Sequence, residues 1–224
     1  MMDNQKVCVI VPFFNEEKVV GKVIGELISN NYKVLAVDDG SSDRSVENIQ
    51  DLNCTIIKHP QNFGQGAALQ TGMTFAKINP NLDFFVTFDS DGQHQVKNIE
   101  DVLIPLVRDE ADIVFGTRFQ DKLTKFTFFK KIILKLAIKY TQLSTGVALT
   151  DTHNGFRALN RAAIDKIELT FPGMTHASEF VSKAGENNLR IKEVPVHILY
   201  TKYSKRKGQS LWNAINILSD LFLR

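Results

Sequence analysis

Five short apolar runs, each followed by a polar or helical stretch, dominate the first 120 residues of the chain. The runs lie at 7–12, 34–37, 54–57, 84–88 and 113–116. Between most of them, apolar residues recur every three or four positions, the spacing of an amphipathic helix. Strands that are apolar on both faces and alternate with helices are typical of a parallel sheet covered by helices on both sides. The sequence therefore predicts an α/β fold.

The same patterns predict further elements along the chain. Helices are expected over 17–30, 43–52, 66–77, 98–108 and 175–187, and a strand over 190–196. The aromatic and lysine-rich stretch 126–142 fits either a surface helix or a helix lying on an anionic membrane, and both interpretations stay open. The chain ends at 211–224 in a pattern typical of an amphipathic helix. Without repeats or linkers, we expect one domain.

Composition excludes several classes of protein. Lys and Arg together number 27 against 25 Asp and Glu, a net charge of +2, which is too balanced for a protein that binds nucleic-acid phosphates. Cys8 and Cys54 form no CxxC motif, which favours a reducing cytoplasm. The first apolar run ends in Asn15-Glu16-Glu17, so it predicts neither a membrane span nor a signal peptide. We therefore expect a cytoplasmic protein, soluble or peripheral to a membrane.

Two carboxylates follow the fourth apolar run directly. Asp89 and Asp91 are spaced i, i+2 at the end of a predicted strand, and ligands of open α/β sheets bind outside such ends. If the backbone bends there, both carboxylates can reach one hard cation such as Mg²⁺ or Mn²⁺. Such a cation is commonly coordinated by protein carboxylates and substrate phosphates together. The alternative is an Asx turn that caps the next helix.

A second acidic group follows the second apolar run. Asp43 has a role as N-cap of the helix predicted after it, but Asp38 and Asp39 have no such role. Carboxylates accept hydrogen bonds from ribose hydroxyls and base N–H groups, so this pair is a candidate nucleotide contact.

The first apolar run also ends in a polar loop. Pro12 and Phe14 can wall a pocket, and Glu16 can accept from a base or place its charge at a helix N-terminus. Because parallel strands end at one edge of a sheet, three such loops are expected on one rim.

Taken together, these motifs resemble glycosyltransferase family 2, and within it the dolichyl- and polyprenyl-phosphate sugar transferases. The matching segments in the first half are VIVPFFNEE at 9–17, VDDGSSD at 37–43, NFGQGAA at 62–68 and DSDGQH at 89–94. Those in the second half are GTRF at 116–119, DTHNGFRAL at 151–159, EVP at 193–195 and GQS at 208–210. The resemblance spans nearly the whole chain and implies the Rossmann-like GT-A fold.

The resemblance also implies a set of site residues. The positions that match nucleotide-sugar contacts are Pro12, Phe14, Glu16, Ala36, Asp38, Asp89, Ser90 and Asp91. The metal ligands are expected to be Asp89, Asp91 and Gln93. The phosphate contacts are expected to be Arg118, Lys205 and Arg206. Residues 1–120 would form the half that binds nucleotide-sugar and metal, and 121–224 the acceptor half.

The activity implied is an inverting transfer of a hexose from a UDP- or GDP-sugar to polyprenyl phosphate, with Mg²⁺ or Mn²⁺ as cofactor. Asp91, Arg118 and Asp151 are the expected catalytic residues. A lipid phosphate needs little help from a base, whereas a glycan hydroxyl acceptor requires one; Asp151 would be that base or would orient the acceptor loop. The family's mannose synthases usually have Arg and Lys where this chain has Lys205 and Leu211, which leaves the donor open.

Two further expectations concern partners. The enzyme would act at the cytoplasmic face of a membrane, through its lysine-rich and C-terminal helices or through a small membrane protein. A non-catalytic subunit that binds nucleotide-sugar is the remaining alternative.

Overall fold

A computed structural model describes residues 3–118, 149–152 and 154–199, with single positions at 132, 136, 138, 139, 142, 143 and 147. The predicted C-terminal helix, the loop that holds Lys205 and Arg206, and most of 126–142 lie outside these residues. Within the described part, no helix is both long and apolar enough to cross a membrane.

Seven strands of the described residues form one sheet. They are β1 (Val7–Phe13), β2 (Lys33–Asp38), β3 (Thr55–Lys58), β4 (Phe84–Thr87), β5 (Ile113–Thr117), β6 (Arg157–Asn160) and β7 (Ile191–Pro195). Their order is β3-β2-β1-β4-β6-β5-β7. The pairs β1–β2, β2–β3, β1–β4 and β5–β7 are parallel, and β6 is antiparallel to both β4 and β5. This confirms the predicted, mostly parallel sheet.

Five α-helices of the described residues cover the sheet. They are α1 (Val20–Ser29), α2 (Gln65–Lys77), α3 (Asn98–Val107), α4 (Arg161–Lys166) and α5 (His176–Glu186), and a 3₁₀ turn lies at Asn4–Lys6. Side chains alternate along β1, so that Val9 and Val11 join one core with α1 and α3. Cys8 and Ile10 join a second core with α2, α4 and α5. Helices on both faces explain why the strands are apolar throughout.

The helix predicted over 43–52 is wrong, because this segment is a series of turns. The Asp43 carboxylate accepts from the backbone N–H of Ser45 at 3.0 Å and from that of Glu17 at 3.1 Å. Ser45 Oγ in turn accepts from the N–H of Glu16 at 2.7 Å. Side chains that bond the backbone locally compete with a helical ladder. Here they instead tie the segment to the loop that follows β1.

The order in which successive strands join the sheet reverses between β1 and β4, which are parallel neighbours. The chain proceeds from β1 to β2 and β3 on one side, then crosses over to β4 on the other side of β1. In open α/β sheets, ligands bind at such a switch point, outside the carboxyl ends of the two strands. The loops after Phe13 and Thr87 therefore flank the expected site.

Candidate active site

A cavity of about 490 Å³ lies at the carboxyl ends of β1 and β4. That volume is typical of a small-molecule site. The lining comes from five parts of the chain and consists of Pro12, Phe13, Phe14, Glu16, Asp39, Asn62, Gly64, Gln65, Ala68, Asp89, Ser90, Asp91, Gly173 and Met174. Pro12 and Met174, which are 162 positions apart in the sequence, thus line one space.

Most of the residues expected to bind nucleotide-sugar are brought together here. Six of the eight line the cavity: Pro12, Phe14, Glu16, Asp89, Ser90 and Asp91. The other two, Ala36 and Asp38, are buried and do not line the cavity. Asp38 Oδ1 accepts from the N–H of Ser41 at 2.9 Å, so it holds the turn after β2, and its neighbour Asp39 is the aspartate that reaches the cavity.

Asp39 organises one wall of the cavity. Its carboxylate accepts from the backbone N–H groups of Phe63 at 2.9 Å and Gly64 at 2.8 Å. It also lies 2.8 Å from Nδ1 of His59, whose Nε2 lies 2.9 Å from the Thr71 hydroxyl. Gly64 has φ +99°, a backbone conformation that favours glycine. These bonds fix the segment before α2 against the end of β2.

A second wall of the cavity comes from the second half of the chain. The N–H of Gly66 donates to the carbonyl of Pro172 at 2.7 Å, and a Cβ at Gly66 would overlap the Phe171 carbonyl. Buried Glu179 accepts from the N–H groups of Thr170 at 2.8 Å and Phe171 at 2.9 Å. The loop is therefore held against the start of α2, which places Gly173 and Met174 on the cavity. Sequence reasoning missed this wall, although the glycine pair at 64 and 66 signals a close backbone approach.

The position of the Asp89 carboxylate is fixed by hydrogen bonds and by a close glycine. The carboxylate accepts from Nε2 of His94 at 2.9 Å and from Nε2 of Gln65 at 3.0 Å. Gly155 lies against it so closely that a Cβ there would stand 2.5 Å from Oδ1. The His94 ring packs on Phe156, with ring centroids 5.1 Å apart. His94 and two segments distant in sequence, at Gln65 and Gly155, thus orient this one side chain.

The two carboxylates of the DSD motif differ electrostatically. Burial acts to raise the pKa of Asp89, but the hydrogen bond and charge of His94 and the charge of Arg157 outweigh it, and the pKa is lowered. Burial raises the pKa of Asp91, and the negative charge of Asp89 raises it further. Asp91 accepts from the N–H of Gln93 at 2.9 Å and from its Nε2 at 2.6 Å. The site therefore carries concentrated negative charge.

The donor set suits a hard divalent cation. Asp89 and Asp91 offer carboxylate oxygens, Gln93 an amide oxygen, and the charge of Glu16 also acts on Asp91. Mg²⁺ and Mn²⁺ prefer such oxygen ligands. Among the described residues, no group of three or more His, Cys, Asp or Glu side chains could hold a metal ion. A cation here would complete its coordination with water or substrate phosphate, as Mg²⁺ usually does.

Arg118, which is half-buried, forms an ion pair with buried Asp151 at the end of β5. Nε and Nη2 of Arg118 donate to the two oxygens of Asp151, both at 2.7 Å, and the Arg118 N–H donates at 3.0 Å. The Asp151 side chain is 1% exposed. Its own N–H donates to Glu193 at 3.1 Å. Bidentate pairing of this kind fixes the orientation of the guanidinium.

Known proteins resemble this chain in sequence and in fold. The profile described as Glycosyl transferase family 2 matches residues 8–168. The chain is 31% identical over 244 residues to a UDP-N-acetylglucosamine–dolichyl-phosphate N-acetylglucosaminyltransferase of Methanococcus voltae, covering 99% of this chain and 97% of that protein. It is 29% identical over 221 residues to a dolichol-phosphate mannosyltransferase of Pyrococcus furiosus, covering 92% and 61%.

Among solved structures, the chain is similar to glucosyl-3-phosphoglycerate synthase from Mycobacterium tuberculosis in complex with Mn²⁺, uridine diphosphate and phosphoglyceric acid. The TM-score is 0.67 at 17% identity, covering 96% of this chain and 78% of the other. The shared architecture confirms the predicted GT-A fold.

Proposed function

The chain belongs to glycosyl transferase family 2, and on that premise we propose that it moves a hexose from a nucleoside-diphosphate sugar to a polyprenyl phosphate, with a divalent metal as cofactor. The observation that carries this proposal is the cavity at the switch point of the sheet, where Asp89 and Asp91 face the same space as Pro12, Phe14 and Glu16. The two sequence relatives, both transferases to dolichyl phosphate, support the acceptor class.

The donor would occupy the cavity between its two walls. Pro12 and Phe14 offer apolar surface to a base, and Glu16 and Asp39 offer acceptors to its N–H groups or to ribose hydroxyls. Asp89 and Asp91, with Gln93, would hold a bound Mg²⁺ or Mn²⁺, which neutralises charge on a diphosphate leaving group. Ser90, between the two aspartates, would contact the sugar diphosphate.

The Arg118–Asp151 pair favours a phosphate acceptor over a hydroxyl acceptor. A general base must be within reach of the proton that it removes, but the Asp151 carboxylate is buried and accepts three N–H groups from Arg118. We assign it the orienting role and give Arg118 the role of facing phosphate. A phosphate oxygen is already anionic near neutral pH, so the proposed reaction requires no base. Lys205 and Arg206 remain proposed phosphate contacts.

We place the enzyme at the cytoplasmic face of a membrane. Three apolar side chains at helical spacing are exposed in the stretch 132–143: Ile132 by 42%, Leu136 by 59% and Leu143 by 80%. Exposed apolar residues beside exposed Lys139 are typical of a helix that lies in a membrane interface. Such a contact would bring the headgroup of a lipid acceptor to the protein.

The test is product formation from UDP- and GDP-sugars with undecaprenyl phosphate in detergent, with Mn²⁺, Mg²⁺ or chelator, read by mass spectrometry. We expect a metal-dependent glycosyl phosphoryl lipid. Asp91→Asn should lower its rate at least about 100-fold, because it removes a ligand of the metal that neutralises the diphosphate. Asp51→Asn changes an exposed aspartate outside the cavity and should have no effect. Donor hydrolysis without lipid product would move the acceptor to a hydroxyl. No turnover in any combination would contradict the proposal.

A further inference from the structure

Arg157 is a charged side chain with no hydrogen-bond partner. The residue is 0% exposed, and none of its three guanidinium nitrogens finds a partner in the part of the chain that the structure describes. Its guanidinium lies instead over two aromatic rings, 4.6 Å from the centroid of Phe180 and 5.9 Å from that of Phe115. A buried charge without hydrogen bonds is unusual and unfavourable.

The position of Arg157 connects it to the active site. It opens β6, opposite Thr87 at the end of β4 and Phe115 near the end of β5. Two residues before it, Gly155 touches the carboxylate of Asp89. Two residues after Thr87, the chain reaches Asp89 itself. Arg157 therefore lies in the floor under the carboxyl ends of the strands that carry the site.

The charges that act on Arg157 are those of the site. Burial lowers its pKa to about 10, and the charges of Asp89 and Asp151 oppose that fall. A pKa of about 10 leaves the guanidinium positive at neutral pH. The interaction is reciprocal, since the charge of Arg157 contributes to the low pKa of Asp89. Arg157 is thus coupled to the proposed metal ligand and to the partner of Arg118.

A second arginine shows what a structural role looks like in this fold. Arg161 also lies over a phenylalanine ring, 4.9 Å from the centroid of Phe85. Its guanidinium donates to the backbone carbonyls of Lys77 and Asn79, at 3.0 and 2.6 Å, and to that of Leu82. Those bonds hold the end of α2. Arg157 makes none of this kind, so packing alone does not account for a charged residue there.

We propose that Arg157 is a positioning residue of the active site, which places a fixed positive charge beneath Asp89 and Asp151. It offsets part of the negative charge of these carboxylates and so reduces the repulsion that a diphosphate or an acceptor phosphate meets on entering the cavity. The charge is already in place before the reaction, which is what makes such electrostatic stabilisation effective. The inference rests on the proposed function, because it needs anionic substrates.

The field of a buried charge acts in opposite directions on cations and anions. Arg157→Met keeps the bulk but removes the charge, so we expect Mn²⁺ alone to bind more tightly and UDP or GDP alone, in chelator, to bind more weakly. Each change should be roughly tenfold at pH 7.5. Arg157→Lys keeps the charge and should retain both affinities. Loss of a merely structural residue would weaken both ligands together.

Stability supplies the second measurement, with Arg161→Met as the matched control. Burying a charge without hydrogen bonds is unfavourable, and Arg157→Met leaves no hydrogen-bond partner behind among the described residues, so the variant should melt at or above the wild-type temperature. Arg161→Met strands three carbonyls, so it should melt lower and leave both ligand affinities unchanged.

The outcomes separate the two proposals. Opposite shifts in Mn²⁺ and nucleotide affinity, restored by lysine, would support the role of Arg157. Equal shifts, no shift, or a lower melting temperature with both affinities reduced would overturn it while leaving the glycosyltransferase proposal intact. A wild-type protein that binds neither Mn²⁺ nor UDP nor GDP would overturn both.

Discussion

Replacing Gly155 with alanine adds one methyl group at the carboxylate of Asp89. The new Cβ would stand 2.5 Å from Oδ1 and 2.6 Å from Cγ, whereas Cβ atoms in proteins essentially never come within 3.0 Å of another heavy atom. The φ of Gly155 is not positive, so alanine itself fits the backbone. The collision is therefore confined to the end of one movable side chain.

The size of the effect follows from the displacement. To regain an ordinary contact distance, the Asp89 carboxylate has to move by about 1 Å, away from His94 and Gln65. A misplacement of that size in an active site costs about 100-fold in rate, or about 2.7 kcal/mol in transition-state stabilisation. Because a side chain moves and the backbone does not, we expect the free energy of unfolding to fall by only about 1 kcal/mol.

The assay is the kcat/KM of sugar transfer together with Mn²⁺ affinity and urea unfolding. Gly25→Ala is the control, because a Cβ at Gly25 in α1 meets no atom within 4 Å. It should leave activity unchanged and stabilise the helix by about 1 kcal/mol. If Gly155→Ala retains Mn²⁺ affinity and activity within twofold of wild type, then the exact position of the Asp89 carboxylate is not required for the reaction. That result would refute the role given to Gly155.

Two further expectations concern the donor wall and acid stability. Asp39→Ala leaves the N–H groups of Phe63 and Gly64 without their acceptor, so we expect the donor KM to rise about tenfold and stability to fall by about 2 kcal/mol; an unchanged donor KM would contradict this role. Burial, and then the charge of Arg157, lower the pKa of His176 to about 4, so the unfolded chain takes up a proton at a higher pH than the folded one. This contribution is fully present above about pH 6.5 and is lost towards pH 4, with a slope of about 1.4 kcal/mol per pH unit. Urea unfolding of His176→Gln at pH 7 and pH 5 should show that slope removed, and an unchanged slope would refute the assignment.

The arrangement of strands and helices was largely readable from the chain because it depends on local periodicity. Runs without polar residues, such as Val7–Phe13, occur where both faces of a strand are covered. Sequence reasoning failed at 43–52, where Asp43 was expected to cap a helix, but Asp43 and Ser45 bond the backbone of another loop. It also did not predict β6, since Arg157–Asn160 carries a charged side chain into the core.

The acids of the site were identifiable because they follow strand ends, and parallel strands bring their ends to one edge. Sequence could therefore indicate that Asp89, Asp91 and Glu16 share a rim. It could not separate Asp38 from Asp39, because adjacent residues of one turn point in different directions that only the fold defines.

Contacts between distant segments were decided by tertiary structure alone. Asp151 meets Arg118 across 33 positions, and Gly155 meets Asp89 across a distance in sequence that no local pattern encodes. Arg157 is the clearest case, because an arginine in a sequence predicts a solvated or paired charge. Periodicity records which face of an element is buried, whereas the charges and atoms that a buried residue meets depend on how the elements pack together.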